Sequence, residues 1–433
     1  MLARKLCSLG LALALVESVT FPAHAELLKN FKTDGSIEVR SYGIDNETDR
    51  NGLLDDYRSE IHTRLLAGGS FDLLDDVHGR FLLRKNDRIY GAAGQTIDSN
   101  TTATGVMTNV AVDNAYVKID KLMGHVDLTF GRQFYGDPSS LVIYFGPQNN
   151  DILSVTALDT FRADADLMGW GRFVGIAGKR ADAGGAVNSD TDVWGGQVDT
   201  DKVIPRGNLA GYFYTQQVKK AANVVAGNNT LEVLGFRAAG DILLGLGYEA
   251  EYIQNFGRNN GTAAAAGYDG NAYSIGLKYG QDVSNMPARF WMAYGRGTRD
   301  FATIAPGRRY GIIWGQHTSL ATDVSTLNGV GGAGLTNMRI WDGGLGVNPI
   351  SKLGVDINAY RFWYTTSSSN LTSAGTEYDL ILSWKHSDNV SLEANAATFQ
   401  VGDALQNPST VAGTATTATT PITRLGADIK VKF

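Results

Sequence analysis

Ten residues at the C-terminus restrict the fold more than any other stretch of this chain. From Arg424 to Phe433, Leu425, Ala427, Ile429, Val431 and Phe433 alternate with Arg424, Gly426, Asp428, Lys430 and Lys432. A period of two puts every apolar side chain on one face of a strand and the mostly charged ones on the other. Such a strand lies between a greasy phase and a wet one. The pattern recurs: Ile61, Thr63 and Leu65 oppose Arg58, Glu60, His62 and Arg64, and Val77, Gly79, Phe81 and Leu83 oppose His78, Arg80 and Arg84. It returns around Val117, Ala250 and Leu380.

Composition narrows the setting. With 43% hydrophobic and 19% charged residues, the 433-residue chain is too apolar for disorder and too polar for a bundle of membrane helices. A formal net charge of -6 leaves no footprint for nucleic acid. Residues 1–25 read as a cleavable export leader: Arg4 and Lys5 precede the apolar stretch Leu9 to Val16, and Ala23-His24-Ala25 gives the small-x-small cleavage pattern. The only cysteine, Cys7, leaves with that leader, so disulfides, thiol catalysis and thiolate metal sites are not expected in the mature chain 26–433. No later segment has the ~18 consecutive apolar residues of a spanning helix.

Spacing gives an independent argument. Gaps between candidate strands are short near 70–76, 120–124, 168–171, 201–207, 240–242, 281–287, 348–352 and 387–389. They are long near 43–55, 86–108, 136–160, 254–270, 298–337 and 402–421, with shorter members near Ala181, Ala221 and Ser367. Tight turns at one end and extended loops at the other predict an all-β fold, a transmembrane up-and-down antiparallel β-barrel of about 18 strands, with 16 as the alternative. Closure is what hydrocarbon demands, because an open sheet edge there would leave backbone groups unpaired. A soluble propeller or sandwich also alternates, but with polar outward faces. Trp170, Tyr212, Tyr214, Tyr279, Trp291, Tyr294, Trp363, Tyr364, Trp384 and Phe433 fall towards strand ends, where interfacial girdles belong. Parity is expected to break at a bulge near Gly131 and Arg132, and Arg339 to Gly346 reads as irregular.

A leader, alternating strands, long and short loops and a last strand ending in Phe433 together resemble a Gram-negative outer-membrane porin, over the whole mature chain. The alginate-export type of barrel is a related alternative. The resemblance implies that the terminal strand, at Leu425, Ala427, Ile429, Val431 and Phe433, is read by the barrel-assembly machinery. It implies a place among outer-membrane lipid and lipopolysaccharide, and homotrimers are common in that family, although no residue here fixes them. The segment Ala115 to Pro147, with Gly131-Arg132-Gln133 and Tyr144-Phe145-Gly146-Pro147, is similar to the strand and inward-folded third loop of porins.

Selectivity in a porin is set where the lumen is narrowest. Arg40, Arg58, Arg64, Arg80 and Arg84 crowd three neighbouring strands, and the loop 136–160 carries Asp137, Asp151 and Asp159. Folded inward, that loop would set acids against wall arginines and create a transverse field in a narrow passage. The simpler reading is that these arginines hydrate the wall and pair with Glu38 or Glu60.

Other constellations are weaker. Asp45, Glu47, Asp49, Asn51 and Gly52 lack the distal bidentate Glu of a calcium loop. The histidines 62, 78, 125, 317 and 386 have no metal spacing, the glycines within 329–334 follow no strand that could present a phosphate cradle, and there is no Gly-x-Ser-x-Gly elbow. No enzyme, metal or cofactor is expected. The expected function is a water-filled channel for passive diffusion of ions and small hydrophilic solutes. Two alternatives stand: a sheath around a multihaem cytochrome, which this chain could not replace because it has no Cys-x-x-Cys-His, and an exporter of an anionic polysaccharide.

Overall fold

The computed structural model describes residues 29–47, 56–87, 110–181, 190–219, 228–243, 245–260, 266–283, 286–316, 334–367, 371–405 and 420–433. The expected leader at 1–25, Asp49, Asn51, Gly52, His317 and most of the 329–334 glycine run lie outside them.

Eighteen strands close on themselves. In chain order they are β1 (Lys29–Asp45), β2 (Arg58–Leu74), β3 (Val77–Asp87), β4 (Val110–Leu122), β5 (Val126–Gln133), β6 (Leu158–Asp166), β7 (Arg172–Ala181), β8 (Thr191–Thr200) and β9 (Gly207–Val218). Then come β10 (Asn229–Leu243), β11 (Leu246–Asn259), β12 (Asn271–Val283), β13 (Met286–Gly297), β14 (Met338–Ile350), β15 (Leu353–Tyr364), β16 (Ser373–Lys385), β17 (Val390–Val401) and β18 (Ile422–Lys432). Each pairs antiparallel with its neighbours in sequence. The seam joins β1 to β18, from Ser36 opposite Lys432 to Asp45 opposite Thr423. No edge is left open to lipid, which satisfies the backbone without water. The two-residue strand Ala266–Gly267 pairs antiparallel with the end of β11, and Tyr135–Gly136 pairs with Tyr144–Phe145 apart from the main sheet.

The alternation has the expected consequence. Ile37, Phe81, Phe130, Phe161, Phe213, Phe236, Ile275, Leu345, Ile357 and Leu380 are all exposed on the outer face, an apolar band that suits hydrocarbon. Several details differ from the sequence reading. Tyr212, Tyr214 and Tyr364 turn inward and are buried, and the outward residue between the first two is Phe213; a Tyr-Phe-Tyr run has no polarity contrast to show which face is which. The break in parity lies at Asp113 and Asn114, both buried beside the register shift between Leu82 and Leu83. Arg339 to Gly346 is regular strand, paired on both sides. The turn expected at 240–242 falls beyond Leu243, because pairing continues to Leu243 opposite Leu246.

Candidate functional site

The lumen is built by two long loops that fold into it. The loop 134–157 touches opposite walls: Tyr135 shares a hydroxyl–hydroxyl bond of 2.7 Å with Tyr214 of β9, and Ser139 accepts from Arg237 of β10 at 3.1 Å. Across the barrel its stretch 148–154 is held by β1, β2, β3 and β18. A segment bonded to inward side chains on both sides must cross the interior.

Guanidinium groups do most of the holding. Arg40 donates to the Asn150 carbonyl and to Asn149 Oδ1, each at 2.8 Å, and its Nε lies 3.0 Å from both carboxylate oxygens of Asp428. Arg64 donates to the carbonyls of Gln148, Leu153 and Ser154 at 3.1–3.3 Å, and at 2.6 Å to Glu38. Asn86 adds a bond to the Leu153 carbonyl at 3.0 Å. Arg424 meets Asp151 at 2.7 Å and stacks 4.9 Å from the Tyr42 ring centre. Five donors per guanidinium let one side chain satisfy several loop carbonyls and a carboxylate together.

The second loop, described over 298–316 and 334–337, docks on the first. Ala305 and Val142 to Tyr144 exchange backbone bonds of 2.6 and 2.9 Å, and Gly307 and Arg308 both donate to the Ser140 carbonyl. A single wide helical turn, Gly311–Gln316, closes this loop against β16. The Glu377 carboxylate accepts from the backbone N–H of Ile313 at 2.6 Å and of Trp314 at 2.9 Å, while Asp379 accepts from Ile312 at 3.2 Å. These are donors that the start of a helical turn would otherwise leave unsatisfied. Gly311 has φ 79°, and a Cβ there would lie 2.6 Å from the Glu377 carboxylate, so only glycine fits. Trp314 stacks on Phe362 and Phe399, with ring centres 4.7 and 5.5 Å away. Burial pushes the Tyr310 hydroxyl up to about 12 and lowers Arg309 from its usual value.

Wide polar spaces flank these loops. One of about 420 Å³ lies among Tyr135, Asp137, Arg162, Arg172, Asp199 and Glu251, and a neighbouring one of about 300 Å³ shares Arg162 and Arg172 and reaches Arg80 and Lys118. A third, of about 550 Å³, lies between the short-turn ends of β16 to β18 and the pair Glu38 and Arg40.

The residues singled out from sequence separate into groups. Arg40, Arg64 and Asp151 come together at 148–154. Arg84 pairs with Asp113 at 3.0 Å, Arg58 with Glu47 and Glu60 at 3.0 and 3.3 Å, and Arg80 with Asp34 at 2.6 Å. Asp137 belongs to a turn with Ser139 on the far side of the lumen. Asp159 shares the outward side of β6 with Phe161 and bonds Arg132 at 2.9 Å, so it faces away from the lumen arginines. Arg424, Glu377 and Asp379 were missed as site residues. Only their polar-face parity marked them, and that signal is common to every lumen residue.

The family described as alginate export matches residues 38–419. The chain belongs to that family. This alginate-export family barrel also superposes on several solved structures. OccK9 (OpdG) of Pseudomonas aeruginosa is 9% identical, with a TM-score of 0.60 over 93% of this chain and 99% of that one. OccK8 (OprE) of the same organism gives 10%, 0.57, 93% and 98%, and OccAB2 of Acinetobacter baumannii 11%, 0.56, 93% and 98%. At such identities the likeness speaks for the fold. No curated protein matches the sequence. Family, closed barrel and apolar belt together make this alginate-export family member a multi-pass barrel of the outer membrane.

Proposed function

We propose that this barrel is a constricted, water-filled channel through which ions and small hydrophilic solutes diffuse passively, with no chemical turnover. The observation carrying the proposal is that two inward loops narrow the lumen while spaces of about 300 to 550 Å³ with charged side chains in their walls remain beside them, volumes that accommodate small solutes. Arg40, Arg58, Arg64, Arg80 and Arg84 act as the polar pore wall, with Asp137 and Asp151 on the constricting loop. Asp159, bonded to Arg132 on the outward side of the rim, has no part in the pore wall. The terminal positions Leu425, Ala427, Ile429, Val431 and Phe433 serve as the barrel-assembly signal, and a homotrimer is the assembly that porin resemblance supports.

The family match favours a second reading, export of an anionic polysaccharide. Against it, Arg40, Arg64, Arg84 and Arg424 are buried and engaged with carboxylates and loop groups, which leaves these guanidiniums little capacity for a polyanion. A cytochrome sheath is opposed by the loops themselves, which occupy the space a guest protein needs. Planar-bilayer conductance in a salt gradient tests the proposal. An open pore passing current is the expected result; a sealed bilayer rejects it, and block by alginate but not by a neutral dextran of equal size transfers support to export.

A further inference from the structure

Near the long-loop end of the barrel, outward-facing cations are paired with acids in one sector and left without them in another. Arg132 donates to Asp159 at 2.9 Å, and Lys179 to Asp190 at 2.7 Å. On β13, β14 and β15 the outward register instead carries Arg296, Arg339 and Arg361. Arg296 stands directly opposite Arg339, and Arg339 is opposite Trp363, while Arg361 is opposite Trp341. The Arg361 guanidinium lies 5.5 Å from the Trp363 ring centre and bonds the hydroxyls of Ser373 and Thr376. Arg339 bonds the Tyr364 carbonyl at 3.2 Å, and its Nε has no partner. Among the described residues, no carboxylate forms an ion pair with any of the three.

Like charges directly opposed on neighbouring strands, only ~4.8 Å apart, repel and destabilise the sheet. A shared anion reverses the sign of that interaction. What adjoins the patch indicates the kind of anion: Tyr294 and Trp341 share the outward row of Arg361, and Phe290, Leu345, Ile357 and Leu380 lie further along the same wall as exposed apolar surface. A cationic brow above aromatic rings and a hydrocarbon-facing wall suits an amphiphile with a phosphorylated head and acyl tails, and the guanidinium fork matches phosphate oxygens two at a time. The long-loop end faces the cell exterior. The leaflet met there in a Gram-negative outer membrane is built of lipopolysaccharide.

We propose that Arg296, Arg339 and Arg361 form a docking site for a lipid A phosphate of lipopolysaccharide, whose acyl chains lie along the apolar wall of β13 to β16. This rests on the outer-membrane placement of the barrel and is independent of what the lumen conducts.

The test uses the refolded full barrel in detergent with purified lipopolysaccharide, read by native mass spectrometry and by the rise in unfolding temperature on binding. The triple variant R296Q/R339Q/R361Q is expected to bind about ten-fold more weakly or worse, and enzymatically dephosphorylated lipopolysaccharide should bind the unmodified barrel equally poorly. Conductance of the triple variant should match that of the unmodified barrel, because the three side chains point away from the lumen; lost lipid binding with normal conductance separates this site from the channel. Should the triple variant fail to fold, R296Q alone is expected to show a several-fold loss, with R296K restoring most of it. Undiminished binding by the folded variants overturns the proposal. So does displacement of the lipid by millimolar inorganic phosphate, which would reduce the patch to a free-anion site.

Discussion

Arg424 of the last strand and Asp151 of the first inward loop form an ion pair of 2.7 Å in which each side chain is only 1% exposed. The pair ties the seam of the barrel to the segment that narrows it. Removing one partner of a buried pair strands the other charge, at a cost of roughly 3–5 kcal/mol, whereas removing both with apolar substitutes is far milder. Asp151→Asn should therefore loosen 148–154 and raise both single-channel conductance and current noise. The double variant D151L/R424M should recover much of the lost thermal stability. A D151N channel as quiet and narrow as the parent would contradict the role given to this contact.

Glu377 makes the equivalent attachment for the second loop. In Glu377→Ala the N–H groups of Ile313 and Trp314 lose their acceptors inside the lumen, about 1–3 kcal/mol for each donor left unsatisfied, and Trp314 loses its anchored stack on Phe362 and Phe399. The expected signs are a red shift of tryptophan emission and a larger conductance. Glu377→Gln keeps one carbonyl acceptor, so its effect should be smaller. Equal behaviour of the two variants would mean that the aromatic stack alone holds the loop.

Acid should act on the loop junction only at low pH. The Ser139 hydroxyl and backbone N–H, at 2.5 and 2.7 Å, hold the Asp137 carboxyl below the usual carboxylate range. A carboxyl depressed in the folded state stabilises it fully above the unfolded value of ~3.9, and that contribution is lost as pH falls through the lower folded value. The turn at 137–140, whose Ser140 carbonyl receives Gly307 and Arg308, should thus keep its conductance signature from pH 8 to 5 and begin to loosen only below about pH 4. Asp137→Asn should abolish this acid step. A step near pH 6 in the parent would implicate another group.

The barrel was legible in the sequence and much of the lumen was not, for a physical reason. Lipid contact imposes a period of two on every strand, so residues such as Ile429 and Phe161 announce their face wherever the local contrast is sharp, and turn length sets the order of strands. Where both faces carry similar side chains, as at Tyr212, Phe213 and Tyr214, parity has nothing to act on. The arginines were found because charge must face water, and Glu38 and Glu60, expected among their partners, do pair with Arg64 and Arg58; the loop acceptors were not foreseeable. Arg64 is satisfied chiefly by the carbonyl oxygens of Gln148, Leu153 and Ser154, and a backbone acceptor leaves no mark in composition or spacing. Asp159 shows the converse: counted with the loop 136–160 it was expected in the lumen, but it belongs to β6, where its carboxylate faces outward beside Arg132.

Closure of the barrel depends on Gly35 and Phe433. The two residues exchange backbone hydrogen bonds of 2.8 and 3.1 Å at the end of the seam. A Cβ at position 35 would lie 2.7 Å from the Phe433 ring on one side and 2.5 Å from the Leu66 carbonyl on the other. Gly35→Val must therefore disturb two strand pairings, β1 with β2 and β1 with β18, and the backbone on the Leu66 side cannot move aside as a side chain could. Its folded fraction after refolding, read as the fast-migrating band of unboiled gels, should fall sharply. Phe433→Ala keeps the backbone bonds and removes a ring that is 56% exposed, so the refolded barrel should lose little stability, of order 1 kcal/mol or less. If that ring also serves as the assembly signal, the same variant should reach the outer membrane of cells poorly while refolding normally in detergent. Normal delivery in cells would remove the signal role from Phe433 and leave Gly35 as the position on which the seam depends.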